Sequence, residues 1–133
     1  MSESTRRFKL SILTGSFAIV RLAADAALPP WATAGDSFSI TRTKDELSVV
    51  CPVNQVPPGV TTETGWRALK VQGPFDLSEI GVLAALAAPL AAAKVSLFAI
   101  STFDTDYLLV TEKKLDAAIA ALKAAGHRIV DAT

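Results

Sequence analysis

The clearest pattern of hydrophobic and polar positions lies in the second half of the chain. Apolar and β-branched residues run through residues 95–101 and again through residues 106–110, with the polar residues 102–105 between them. Such residues are typical of strands, and a short polar segment between two such runs predicts a turn. We therefore expect a β-hairpin here.

The hairpin pattern occurs a second time, earlier in the chain. At a shift of about sixty positions, residues 38–50 align with residues 98–110 in their apolar and β-branched positions. Residues 13–17 also align with residues 71–75 at nearly the same shift. Two matches in the same order at nearly one offset predict an internal duplication.

The first half is predicted to hold strands joined by short helical turns. Pro29 and Pro30 restrict the segment between the second and third strands, and Pro57 and Pro58 stop a helix after the fourth. Proline lacks the backbone N–H that a helix interior requires. The predicted strands are residues 8–13, 17–22, 37–43, 46–51 and 60–64.

The second half is predicted to contain a full helix over residues 77–92. Asp76 is a suitable N-cap, and Glu79 follows three residues later, as in a capping box. Pro89 should kink or weaken the last turns. The apolar positions that follow helical spacing, and that we expect to be buried, are Leu77, Ile80, Leu83, Ala84, Ala87 and Leu90.

A second helix is predicted over residues 112–125, after the hairpin. Thr111 would be its N-cap, and Gly126 fits the left-handed residue that commonly ends a helix. With strands at residues 66–72 and 127–131, the second half reads β-α-β-β-α-β. The predicted fold class is α+β, with two ferredoxin-like units in tandem: residues 6–64, with shortened helices, and residues 65–133.

Charge and hydropathy exclude several kinds of partner. Thirteen basic and thirteen acidic residues cancel, so no electrostatic pattern favours a nucleic acid. The longest apolar run, residues 80–93, is interrupted by Gly81 and Pro89 and is too short to span a bilayer. No apolar run follows the N-terminal arginines, as a secretory signal would require. We expect a cytoplasmic protein that binds neither nucleic acid nor membrane.

Catalytic and metal chemistry find little support in the sequence. The chain has one cysteine, Cys51, and one histidine, His127, at the ends of strands in opposite halves. A nucleophile needs its base within hydrogen-bond reach, and a zinc site needs three or four ligands. A buried cysteine and an edge histidine are the simpler interpretation. We expect no enzyme activity, no cofactor and no metal.

Three segments carry a resemblance to a known family. They read T-R-T-K-D-E-L-S-V-V-C-P at residues 41–52, G-W-R-A-L-K-V-Q-G-P at residues 65–74 and A-I-S-T-F-D-T-D-Y-L-L-V at residues 99–110. Together they resemble the CASTOR-type ACT proteins, bacterial tandem-ACT proteins related to the animal arginine sensors, from residue 10 to the C-terminus. The resemblance implies a regulatory protein that binds an amino acid between paired units. Because the animal sensors carry four units and this chain two, it also implies a possible homodimer.

The resemblance places the ligand beside two segments. The first follows the opening strand of the second unit, and the second is the turn of the hairpin. The residues implied are Gly73, Pro74, Phe75, Asp76 and Ser78 in the first segment, and Ser101, Thr102, Phe103, Asp104, Thr105 and Asp106 in the second.

The residue types in these segments allow the same chemistry. A glycine before a helix start lets the backbone approach a ligand, and the free amides of a first helical turn attract a carboxylate. Asp104 and Asp106 would take an ammonium or guanidinium group. The alternatives are a capped helix start and an ordinary turn, since Asp and Thr are common turn residues. An oligomerisation module without a small ligand is the alternative function.

Overall fold

The computed structural model describes residues 7–74 and 80–131. Contacts divide the chain into two compact units. The N-terminal unit is Gly15–Trp66, and the C-terminal unit comprises the described parts of Met1–Thr14 and Arg67–Thr133. The predicted boundary after residue 64 left the first strand with the first half, whereas contacts group it with the C-terminal unit.

The described residues form strands and two α-helices in a mixed order. The α+β class predicted from the sequence is confirmed. The strands are β1 (Lys9–Ile12), β2 (Phe17–Leu22), β3 (Ser39–Arg42), β4 (Leu47–Pro52), β5 (Thr62–Val71), β6 (Phe98–Ser101), β7 (Asp106–Thr111) and β8 (Arg128–Val130), and the helices are α1 (Val82–Ala92) and α2 (Leu115–Ala124).

The N-terminal unit has the strand order of a ferredoxin-like sheet. Its strands lie in the order β3-β4-β2-β5, and all neighbours are antiparallel. Where that fold has helices, this unit has only the 3-10 turns Pro30–Thr33 and Val53–Gln55. The helices are therefore as short as the prolines predicted. Its buried core consists of Ala18, Val20, Ala32, Leu47, Val49 and Cys51.

One amide side chain holds the first 3-10 turn in place. The Nε2 group of Gln55 donates to the backbone carbonyls of Trp31 and Ala34, at 3.0 and 2.7 Å. Gly35 has φ 85°, which favours glycine, and a Cβ atom there would lie 2.6 Å from Oε1 of Gln55 and displace this amide. The Gln55 side chain thus satisfies carbonyls that a short helical turn leaves unpaired.

The C-terminal unit has a sheet with one more strand than predicted. Its strands lie in the order β6-β7-β5-β1-β8. β1 is antiparallel to β5 and parallel to β8, so it separates the first and last strands of the β-α-β-β-α-β segment. Sequence patterning does not report which strand an N-terminal segment pairs with, and this insertion was not predicted.

The core of the C-terminal unit lies between this sheet and its two helices. Its members come from β1, β5, β7 and both helices, together with the residues that enter and leave them. They are Phe8, Leu10, Leu69, Val71, Val82, Leu86, Leu90, Val95, Leu108, Val110, Ala118 and Leu122. Neither α1 nor α2, the helices found among the described residues, is long enough to cross a membrane.

Helix α1 begins later than the sequence pattern predicted. Its N-cap is Gly81, in the left-handed conformation at φ 83°, and Val82 is the first helical residue. The predicted start at residue 77 is wrong for α1, and residues 75–79 lie outside the described part of the chain. The buried face is Val82, Leu86 and Leu90, so the predicted burial is confirmed for Leu90, whereas Ile80 is 86% exposed. A left-handed residue interrupts a helix, which explains the shift.

The two α-helices end in the same way. His127 N–H donates to the Leu122 carbonyl and Val95 N–H to the Leu90 carbonyl, at 3.0 and 2.9 Å, as in a Schellman motif. Gly126 has φ 100°, which confirms its predicted role after α2. The equivalent residue after α1 is Lys94, at φ 61°.

Lys94→Gly should stabilise the C-terminal unit. A left-handed conformation strains any residue with a Cβ atom, by about 1 kcal/mol, and glycine removes this strain. We expect the free energy of unfolding, measured by urea denaturation, to rise by about that amount. Lys94→Ala removes the same charge but keeps the Cβ atom, so it should not stabilise. Equal stability of the two variants would contradict the prediction.

The two sequence matches of the predicted duplication have different outcomes in the structure. Residues 38–50 and 98–110 fall on the hairpins β3–β4 and β6–β7, which occupy corresponding places in their units. The match of residues 13–17 with 71–75 does not, because the first segment leads into β2 while Val71 ends β5. Similar short sequences thus occur at non-equivalent positions.

Candidate functional site

The turn between β6 and β7 is closed by its own hydrogen bonds. Thr102 N–H donates to the Thr105 carbonyl at 2.8 Å, and the Thr102 hydroxyl donates to the same carbonyl at 3.0 Å. Thr105 N–H in turn donates to Oγ1 of Thr102 at 3.3 Å. These are the local side-chain bonds that make threonine a common turn residue.

The base of the turn is closed by a serine and an aspartate. Ser101 and Asp106 face each other in the antiparallel register of β6 and β7. The Ser101 hydroxyl donates to Oδ1 of Asp106 at 2.5 Å. One carboxylate oxygen of Asp106 is thus engaged within the turn.

Thr105 connects the turn to β5. Its side chain is buried, in contrast to the four exposed residues before it. The hydroxyl donates to the Val71 carbonyl at 2.6 Å. Because Val71 ends β5, this bond brings the turn close to the segment that leads to Gly73 and Pro74, whose peptide bond is cis. Of the two segments predicted to flank a ligand, the turn is thus bonded to the residue two positions before Gly73.

The tip of the turn presents an aromatic ring and a carboxylate to solvent. Phe103 is 78% exposed, and Asp104 is exposed beside it. Within the described residues the Asp104 carboxylate makes no hydrogen bond or ion pair. These two side chains are the ones that the internal bonds of the turn leave available.

The first predicted segment is described only in part. Gly73 and Pro74 are described, whereas Phe75, Asp76 and Ser78 lie outside the described residues. The prediction that Asp76 caps α1 is wrong, because the N-cap of α1 is Gly81. The amides of the first turn of α1 therefore do not follow Gly73 as directly as the sequence suggested.

His127 has a structural role that sequence reasoning missed. It directly precedes the edge strand β8, as predicted, but it is buried, and its ring stacks on that of Phe8 with centroids 5.7 Å apart. Nδ1 accepts a hydrogen bond from Phe8 N–H at 3.0 Å. The imidazole also makes a backbone hydrogen bond with Ala85, which raises its pKa, so the ring N–H donates to that carbonyl.

The bond to Ala85 compensates for a proline. In an α-helix the carbonyl of residue 85 would accept from the amide of residue 89, but Pro89 has no N–H. His127 supplies the missing donor, which explains how α1 accommodates an internal proline. Burial lowers the pKa of His127 more than the Ala85 bond raises it, so the neutral ring is favoured. In the sequence, the features that could have indicated this contact were the proline inside a predicted helix and the chain's single histidine.

Cys51 is buried in the core of the N-terminal unit, as predicted. Burial raises the pKa of its thiol, which disfavours the nucleophilic thiolate. Among the residues that the structure describes, no three His, Cys, Asp or Glu side chains form a group that could hold a metal ion.

Comparison with known proteins identifies the C-terminal unit. Residues 61–124 match the family model of the ACT domain, and residues 15–59 match a second model described as an N-terminal domain. A crystal structure of a protein from Agrobacterium tumefaciens is 42% identical to this chain, with a TM-score of 0.91 over 96% of each chain. Residues 61–124 therefore form the part of the chain that belongs to the ACT domain family. The ACT part of the resemblance seen in the sequence is confirmed for residues 61–124.

Two further proteins are similar to this chain, the first in sequence and the second in fold. It is similar to the human cytosolic arginine sensor for mTORC1 subunit 1, with 39% identity over 67 residues, 48% of this chain and 20% of the sensor. The chain thus spans about a fifth of the length of the curated relatives it matches. The regulatory subunit of aspartate kinase from Thermus thermophilus shares the fold, with a TM-score of 0.59 over 84% of this chain and 91% of that chain, at 10% identity.

Proposed function

We propose that this ACT protein is a non-catalytic regulatory protein that binds a small ligand, an amino acid, beside the turn of β6 and β7. The observation that carries the proposal is the exposed, unpaired carboxylate of Asp104 next to Phe103 in an ACT domain. The similarity to an arginine sensor supports the same ligand class. The N-terminal unit would act as a second, degenerate ACT-like unit.

The chemistry of the turn fits the cationic group of an amino acid. Asp104 has no internal partner among the described residues, and Asp106 keeps its second carboxylate oxygen after bonding Ser101. Hydrogen bonds in which both groups are charged are the strong ones, so an ammonium or guanidinium group would gain most here. Gly73 and Pro74 follow Val71, the residue that Thr105 bonds, and would line the same ligand.

A thermal-shift screen against the twenty amino acids tests the proposal. A ligand present at a hundredfold excess over its Kd stabilises the folded protein by about 2.7 kcal/mol. We expect one or a few amino acids to raise the melting temperature of the wild-type protein. No shift with any amino acid, from a protein shown to be folded by circular dichroism, would contradict the proposal.

Asp104→Asn should then weaken binding of that amino acid about tenfold. The substitution keeps the shape of the side chain but removes its charge, and a hydrogen bond to a charged group contributes about 1.5–3 kcal/mol. Asp116→Asn, at an exposed aspartate in the first turn of α2, is the matched control and should leave Kd unchanged. Calorimetric titration of the three proteins gives the comparison. Equal weakening by both substitutions would point to a general effect of charge.

A second candidate function is favoured by the outer face of α1. Helix α1 contains no polar or charged side chain, although Leu83, Ala84, Ala88 and Ala91 are exposed. Solvent-facing helix positions are ordinarily polar. This favours an oligomerisation module, with a homodimer as its simplest form. Light scattering alongside the screen separates the two functions, since a stable dimer without any ligand shift would support the module.

A further inference from the structure

Thr105 stands apart from the rest of the turn in its burial. Ser101, Thr102, Phe103 and Asp104 are exposed, whereas Thr105 is only 7% exposed. Its hydroxyl donates to the Val71 carbonyl across 34 positions of sequence, at 2.6 Å. The candidate site therefore rests on a buried side chain that joins β5 to the hairpin.

Closure of the hairpin does not require this bond. The register of β6 and β7 pairs Ser101 with Asp106, and the turn itself is closed by the hydrogen bonds between Thr102 and Thr105. All of these would form with any residue that keeps the backbone of position 105. The hydroxyl bond adds something different, because it ties the turn to another strand.

We propose that Thr105 is a positioning residue of the candidate site rather than a ligand contact. Its hydroxyl holds the turn against the end of β5, so that Phe103 and Asp104 keep a fixed place relative to Gly73 and Pro74. This inference rests on the proposed function, since it concerns the same site. A buried donor already bound to a carbonyl is not available to a ligand.

Fixing the turn before the ligand arrives should increase affinity. A loop that is ordered only on binding loses conformational freedom at that moment, whereas a loop that is already held in place does not. Thr105→Val keeps the shape of the side chain but removes the donor. Thr105→Ser keeps the donor and removes only a methyl group. We expect Thr105→Val to weaken amino-acid binding about tenfold, and Thr105→Ser by less than threefold.

The experiment uses the full chain and the panel of twenty amino acids. Each amino acid that stabilises the wild-type protein is titrated calorimetrically into Thr105→Val, Thr105→Ala and Thr105→Ser, at a temperature at which circular dichroism shows all variants folded. Thr105→Ala removes the donor without placing a methyl group against the Val71 carbonyl, so it serves if Thr105→Val does not fold. Thr111→Val is the matched control. Thr111 is a half-buried threonine at the other end of β7, and its side chain makes no capping hydrogen bond to the 3-10 turn Glu112–Lys114 that follows it and precedes α2.

A second measurement separates positioning from a loss of overall stability. Hydrogen exchange of the residue-102 and residue-105 amides, which donate hydrogen bonds within the turn, should become faster relative to amides of β7 in Thr105→Val and Thr105→Ala but not in Thr105→Ser or Thr111→Val. A general destabilisation would speed exchange throughout the unit instead.

Three outcomes are possible, and each decides the question. Weak binding and faster local exchange in the variants without the donor, with Thr105→Ser close to wild type, supports the inference. Unchanged binding in those variants, or equal losses in Thr105→Ser, overturns it and leaves the proposed function intact. A folded wild-type protein that binds none of the twenty amino acids overturns the proposed function and this inference with it.

Discussion

His127→Ala should lower the free energy of unfolding by about 3 kcal/mol. The substitution removes a buried aromatic ring that stacks on Phe8, and aromatic truncations in cores cost about 3–5 kcal/mol. It also takes away the acceptor of Phe8 N–H and the donor to the Ala85 carbonyl. The Ala85 carbonyl is the more serious loss, because Pro89 offers it no amide. Urea denaturation at pH 7.5 measures the effect.

Two variants distinguish the role of His127 from general sensitivity at this position. Arg128→Ala changes the exposed neighbour and should alter stability by no more than about 0.5 kcal/mol. Pro89→Ala restores the missing amide and should make His127→Ala less costly, since the Ala85 carbonyl then has a helical partner. If Pro89→Ala leaves the cost of His127→Ala unchanged, the compensation inferred for the Ala85 bond is wrong.

The same histidine makes stability depend on pH. Burial lowers the pKa of His127 in the folded protein below its ordinary value of 6.5, so below that pH the unfolded chain binds a proton that the folded protein does not. Stability is then fully present above about pH 6.5 and is lost as the pH falls toward the folded pKa. Unfolding free energies from pH 7.5 to 5.5 should decrease for the wild-type protein and stay nearly level for His127→Ala. If the unfolding free energies of the two proteins decreased in parallel with pH, His127 would not be the cause of the pH dependence.

Leu86→Ala should lower the free energy of unfolding by about 2–5 kcal/mol, whereas Ile80→Ser should change it by less than about 0.5 kcal/mol. Leu86 is 0% exposed in the core of the C-terminal unit, and large-to-small substitutions there leave a cavity. Ile80 is 86% exposed and precedes α1, so little apolar contact is lost. Both variants are measured by urea denaturation.

This pair of substitutions also tests where α1 begins. The sequence pattern placed Ile80 on the buried face of a helix from residue 77, and that register predicts a large cost for Ile80→Ser. Val82, Leu86 and Leu90 form the buried face in the structure. A cost above about 2 kcal/mol for Ile80→Ser, with Leu86→Ala nearly neutral, would contradict the observed register.

A ligand at the candidate site would regulate the protein only if it bound two conformations of the protein with different affinities. A ligand shifts a conformational equilibrium by its differential affinity for the two states and by nothing else. The turn of residues 101–106 is closed by its own bonds, so the ligand need not order it. Regulation is therefore expected to depend on what the ligand changes beyond the turn.

Several features were predictable from the sequence because they depend on neighbouring residues. The hairpin of residues 98–111 follows from β-branched and apolar runs around a polar turn, and Gly126 follows from the left-handed conformation that ends a helix. Prolines likewise limited the helices of the first half. The location of Ser101 to Asp106 in one turn was predictable for the same reason.

Other features depend on contacts between distant residues, and only the tertiary structure decided them. The insertion of β1 between β5 and β8 is a choice of strand partner. The alternation of side chains along a strand predicts that a strand forms, but it does not predict which strand it pairs with. The start of α1 depends on Gly81, since the apolar positions alone fit two registers.

The sequence by itself determined the α+β class, the hairpins and the ACT relationship of the second half. Only the tertiary structure decided which polar side chains form hydrogen bonds within the fold. Thr105 and His127 each bond a backbone group of another element, whereas Asp104 has no such partner within the described residues. The reason is physical: a buried polar group must find a partner, and that partner can lie anywhere along the chain.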